Sequence, residues 1–112
     1  EYLSAHSHVS KVYHPLFEPE AAALFEAQMR GHSGLFSISL NDGGFEGALN
    51  VANRLQLFGN AVSWGGPESL VITGHKKDPG GAGSRIPAGL LRLSIGFEGS
   101  ENLIADLEEA LS

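Results

Sequence analysis

Leu90-Leu91-Arg92-Leu93-Ser94-Ile95-Gly96-Phe97-Glu98 runs, across Gly99, into Ser100-Glu101-Asn102-Leu103-Ile104-Ala105-Asp106-Leu107-Glu108-Glu109-Ala110-Leu111. The first stretch is apolar and strand-like, and it predicts a strand over 90–95. In the second, Leu103, Ile104, Leu107 and Leu111 recur at helical spacing, and Ser100 stands where a helix cap would. Reading back towards the start, Ala61 to Ser63 and Ser69 to Thr73 predict two short extended segments around Gly65-Gly66. Phe45, Ala48, Leu49, Ala52 and Leu55 predict a helix to about Phe58, with Gly59 as its stop. Leu35 to Leu40 alternates as a half-buried strand does, after a break at 31–34. Glu18 to Arg30 reads as a helix with Pro19 in its first turn, and Val9 to Tyr13 as a strand ended by His14-Pro15. Four strands near 9–13, 35–40, 69–73 and 90–95 with three helices predict an α+β fold: a small, mostly antiparallel sheet covered by helices.

The composition sets the outer limits. A chain of 112 residues forms one domain with a modest core, and 42% hydrophobic residues with mean hydropathy near zero read as globular. A formal net charge of -6 argues against nucleic acid and against an anionic membrane surface. No apolar run approaches the roughly 18 residues that span a bilayer, and the opening residues carry no signal-peptide pattern. With no cysteine there is no disulfide, thiolate metal site or cysteine nucleophile, which suits a reducing cytoplasm. The start at Glu1, without an initiator methionine, reads as the continuation of a longer protein.

Arg92 is the leading candidate for chemistry. A guanidinium inside an apolar strand either reaches solvent, pairs with a nearby acid, or grips an anion with its flat fork. The second candidate stretch is Ser63-Trp64-Gly65-Gly66-Pro67-Glu68-Ser69-Leu70, where two glycines remove bulk and allow a ligand or another backbone to come close. Ser63 and Trp64 beside them suggest the wall of a pocket for a small carboxylate; each also reads as a turn serine and a half-buried structural tryptophan. Glu68 and Glu98 read as structural, Glu98 through the positive end of the last helix.

The remaining polar residues point elsewhere. His6 and His8 alternate but lack a third metal ligand nearby, and His14, His32 and His75 are scattered in turns and loops. Lys76-Lys77 reads as a solvated pair. Pro79-Gly80-Gly81-Ala82-Gly83 centres a loop over 75–87, the stretch expected to be most mobile, and no Lys-Ser/Thr pair follows to make it a phosphate loop.

Taken together, Ser63-Trp64-Gly65-Gly66-Pro67-Glu68-Ser69-Leu70, Leu90 to Glu98 and the closing helix 100–111 resemble the C-terminal segment of the Cys/Met-metabolism enzymes that use pyridoxal phosphate. That family includes cystathionine lyases and synthases, methionine lyase and O-acylhomoserine sulfhydrylases. The resemblance runs over nearly the whole chain. It implies the small C-terminal domain, 1–112, of a fold-type I enzyme acting on sulfur amino acids, with cystathionine β-lyase as the nearest type. It implies that Arg92, in Arg92-Leu93-Ser94-Ile95-Gly96, binds the substrate α-carboxylate, that Ser63 lies beside that carboxylate, and that Trp64 walls the pocket. It also implies a cytoplasmic homodimer or homotetramer. The cofactor lysine and most cofactor contacts would lie upstream: Lys11, Lys76 and Lys77 are the only lysines, and none stands in a comparable context. The chain would then orient a substrate and have no catalytic residue, no cofactor-binding residue and no metal ligand of its own. Thr73-Gly74-His75-Lys76-Lys77-Asp78-Pro79 stands where γ-lyases and synthases often carry Met-Thr-His, which speaks against a γ-lyase. The alternative is a stand-alone, non-catalytic α+β module that binds an amino acid or a protein; in a pure interaction module Arg92 would sit in a structural ion pair.

Overall fold

The computed structural model describes residues 1–75, 78 and 80–112. In chain order they form β1 (Val9–Tyr13), α1 (Pro19–Gln28), β2 (Leu35–Leu40), α2 (Gly44–Arg54), β3 (Gly59–Asn60), β4 (Leu70–Thr73), β5 (Leu90–Ser94) and α3 (Ser100–Leu111). Two 3-10 turns, Leu3–Ala5 and Pro15–Phe17, precede β1 and α1. The strands make one five-stranded sheet in the order β1-β2-β5-β4-β3. It is antiparallel except for the β3–β4 pair, so the predicted α+β class holds, with one more strand than expected.

The alternation along β5 decides the layers. Leu91 and Leu93 are buried on one face; Arg92, between them, projects from the other. Across from Leu91 and Leu93 stand Ile38 and Phe36 of β2, and Val71 of β4 pairs with Leu93. α2 packs against this face over β4, β5 and β2, and α3 packs against α2. Ile38, Val71, Leu91 and Leu93 share one core with Ala48 and Ala52 of α2 and with Leu103, Leu107, Ala110 and Leu111 of α3. α2 and α3 therefore form the layer over one face of the sheet, and each large side chain buried there contributes about 1.5–3 kcal/mol.

Several element ends depart from the sequence reading. α2 stops at Arg54, well before Phe58, because the carboxylate of Asp106 takes the next free amides. Gln56 N donates to Asp106 Oδ1 at 2.8 Å and Leu57 N to Oδ2 at 2.9 Å. Gly59 is then no helix stop: it opens β3, pairing in parallel with Leu70. Residues 61–63, expected to be extended, belong to the loop between β3 and β4. The cap of α3 is Gly99; Ser100 is already its first residue. α1 buries no residue, and it packs on the Pro15–Phe17 turn with Leu24 and Met29 exposed. In the 75–87 loop, the pair Lys76-Lys77 and Pro79 lie outside the described residues, while Gly81 N donates to Ile86 O at 2.7 Å and Ser84 N to Gly81 O at 3.0 Å.

Asp106 is buried and its two oxygens are both used in holding the α2 exit against α3. Asp106→Ala is expected to lower the unfolding free energy by about 2 kcal/mol, since two amides lose a charged acceptor. Urea denaturation should show this as a lower midpoint at unchanged slope; an unchanged midpoint would remove the clamp from the account of the fold.

Candidate functional site

Arg92 stands on the central strand, opposite Ser37 of β2 and Ile72 of β4. It is not an edge residue, and no carboxylate among the described residues pairs with it. Its side chain spans β4 and reaches the loop that leaves β3. There Arg92 Nη2 donates to the carbonyl oxygens of Val62 and, at 3.3 Å, Ser63. The guanidinium carbon lies 5.6 Å from the centre of the Trp64 ring, a cation–π contact worth about 0.5–1 kcal/mol at an exposed site. Trp64 itself is 60% exposed. Arg92 Nε is buried and finds no hydrogen-bond partner among the described residues. An unmatched buried donor costs about 1–3 kcal/mol, so this arginine is oriented by two carbonyls and one ring with its Nε–H left unpaired.

The three residues singled out from the sequence, Arg92, Ser63 and Trp64, are thus brought together, although about thirty positions separate the arginine from the pair. Ser63 acts on Arg92 through its carbonyl, not its hydroxyl. Sequence reasoning missed Val62, whose contribution is a backbone oxygen and has no side-chain signature. No other backbone comes close at Gly65 or Gly66. Gly65 faces open space and is required by a positive φ of 77°, and a Cβ on Gly66 would meet only the Glu68 side chain at 3.6 Å. The tight contact is at Gly96, where a Cβ would lie 2.6 Å from Ser69 N and 2.5 Å from the Glu68 carbonyl carbon.

Around Gly96 the loop is tied to the end of β5. Gly65 N donates to Ser94 Oγ at 3.2 Å, and Phe97 N to Pro67 O at 2.8 Å. Glu98 does not cap α3. Its carboxylate accepts from Ser69 N at 2.6 Å and from Ser69 Oγ at 2.7 Å, and Ser69 Oγ in turn accepts from Gly96 N at 2.8 Å. The bond from the Ser69 amide, and then that from its hydroxyl, hold the Glu98 carboxyl below the usual glutamate range. Glu68 is exposed.

The other polar groups serve local structure. His6 Nδ1 accepts from His8 N at 3.2 Å, and the two rings stand edge to face with centres 5.6 Å apart. Tyr2 hydroxyl donates to Glu108, and its pKa is pushed up to about 12 by burial and by that carboxylate. Among the described residues no group of three His, Cys, Asp or Glu could hold a metal. A cavity of about 460 Å³ lies under α1, lined by His14, Leu24, Phe25 and Met29 among others, away from Arg92.

The model of the family described as Cys/Met metabolism PLP-dependent enzymes matches residues 1–112. The chain belongs to this family. It is 39% identical to a cystathionine beta-lyase of Lactococcus lactis subsp. cremoris, over 99% of this chain and 30% of that protein. It is 34% identical to an L-methionine gamma-lyase of Fusobacterium nucleatum subsp. polymorphum, again over 99% of this chain and 30% of that protein. Its fold superposes with a TM-score of 0.82 on CalE6, a methionine gamma lyase from Micromonospora echinospora, at 31% identity and covering 99% of this chain and 28% of CalE6. The chain therefore spans under a third of the length of these relatives.

Family members depend on pyridoxal phosphate. The described residues do not fit that cofactor by themselves. Lys11, the one lysine among them, is on edge strand β1 and pairs with Glu18 at 2.7 Å. Among the described residues no helix is long and apolar enough to cross a membrane.

Proposed function

We propose that this chain is the C-terminal, substrate-recognising domain of a cytoplasmic, homodimeric or homotetrameric pyridoxal-phosphate enzyme acting on sulfur amino acids. The observation that carries this reading is the guanidinium of Arg92, held over Trp64 by two carbonyls with its Nε–H unmatched, in a chain of this family. Arg92 takes the α-carboxylate of the substrate, because a planar fork matches two oxygens and a cation offsets their charge. The Val62 and Ser63 carbonyls set the plane of the fork, and Trp64 bounds the pocket and keeps water from one side of it. Pyridoxal phosphate supplies the electron sink when bound, from residues upstream of this chain; the contribution here is binding and orientation, and the chain alone is inactive. The nearest type is cystathionine β-lyase, supported by the 39% identity to such an enzyme, while the methionine γ-lyase at 34% keeps γ-cleavage as the second reading.

The test is the visible spectrum of the full-length gene product before and after addition of cystathionine. A cofactor band that shifts, with release of pyruvate, is expected; 2-oxobutyrate would replace the β-lyase reading by the γ-lyase one. No cofactor band would move the assignment to a binding module.

A further inference from the structure

We infer that Glu98, acting through Ser69, is a positioning residue for Arg92: its carboxylate locks the 62–69 loop in the place from which that loop aims the guanidinium. This rests on Arg92 being the carboxylate grip. Glu98 touches neither Arg92 nor, on that reading, the substrate. Its two carboxylate oxygens both accept from Ser69, Oε1 from the amide at 2.6 Å and Oε2 from the hydroxyl at 2.7 Å. Ser69 is fully buried, and its hydroxyl donates to Glu98 while accepting from Gly96 N at 2.8 Å. Ser69 is the last residue before β4, so fixing it fixes one end of the loop.

The other end is fixed by Ala61 N donating to Val71 O at 3.2 Å. Between these anchors lie the groups that touch Arg92: the carbonyls of Val62 and Ser63 and the ring of Trp64. Two backbone carbonyls can orient a guanidinium only as well as their own loop is held, and this loop is otherwise exposed from Ala61 to Gly65. The carboxylate is the one charged group in the tie, and charge-assisted hydrogen bonds to it are about twice as strong as neutral ones. A neutral amide in its place keeps the bond from Ser69 N. It turns an NH2 group toward Ser69 Oγ, so the hydroxyl proton, which Glu98 accepts in the wild type, loses its acceptor.

The experiment is a double-mutant cycle on the holoenzyme that carries this chain, with Glu98→Gln, Arg92→Lys and the pair. Glu98→Gln is expected to raise KM about tenfold with kcat changed little, the loss of one charge-assisted bond acting on binding. Because Glu98 acts through Arg92, the double variant should be no worse than Arg92→Lys alone. A second readout does not depend on turnover. Trp64 is the single tryptophan of the chain, so its emission in the holoenzyme, taken as the difference from a Trp64→Phe variant, should lose the Arg92 contact in Glu98→Gln and shift as it does in Arg92→Lys. Should Glu98→Gln fail to fold, Ser69→Ala, which removes the hydroxyl and keeps the amide, takes its place in the same cycle. Additive effects, or an unchanged KM and Trp64 signal, would overturn the positioning role. An Arg92→Lys enzyme with full kcat/KM would instead overturn the carboxylate grip itself, so the two failures are distinct.

Discussion

Arg92→Lys in the full-length enzyme is expected to lower kcat/KM by at least about a hundredfold, the equivalent of about 2.7 kcal/mol. The wild-type side chain holds Val62 and Ser63 through Nη2 and lies over Trp64, with its buried Nε–H unpaired among the described residues. Lysine keeps the positive charge. It has no second donor fixed in the same plane, so it cannot hold two carbonyls and present a fork to a carboxylate at once. The loss should fall mainly on KM, since carboxylate binding is common to the bound substrate and the transition state. Steady-state kinetics with cystathionine measures it, and a kcat/KM within threefold of wild type would reject the assignment.

Gly96→Ala is expected to destabilise the 112-residue chain by about 3 kcal/mol, at the upper end for overpacking. The atoms a new methyl would meet are backbone: Ser69 N at 2.6 Å, the Glu68 carbonyl carbon at 2.5 Å, and the Pro67 carbonyl oxygen closer still. A flexible side chain could swing aside, but here the loop must lift as a whole. Lifting it strains the Phe97–Pro67 and Gly96–Ser69 hydrogen bonds and moves the carbonyls that orient Arg92. A melting temperature lower by about 10 °C or more is expected from the size of the chain. Unchanged melting would mean that the loop can sit farther from β5 than it does.

Much of the fold was legible because its signals are local. Alternation over Val9–Tyr13 and Leu35–Leu40, and the helical spacing of Leu103, Leu107 and Leu111, identify the elements from a few neighbouring residues. The end of α2 was not legible, because it is set by Asp106, fifty positions away, and a run such as Leu55 to Phe58 continues the helical pattern until another element takes its amides. The fifth strand was missed for the same reason: Gly59-Asn60 has no strand propensity and is extended only because β4 lies beside it.

Within the site, the residue types came from the sequence and the roles did not. An arginine in a strand, a tryptophan and serine by two glycines, and their resemblance to one enzyme family were sufficient to name Arg92, Ser63 and Trp64. That Arg92 lies on the central strand, that backbone carbonyls and not an acid or a serine hydroxyl orient it, and that Glu98 ties the loop rather than capping α3 depend on pairings 27 to 30 residues apart. Local periodicity follows from the geometry of one strand or one helix. The partner of a hydrogen-bonding group is chosen only when sheet order and loop path bring distant segments within about 3 Å, and on this chain that choice belongs to the tertiary structure.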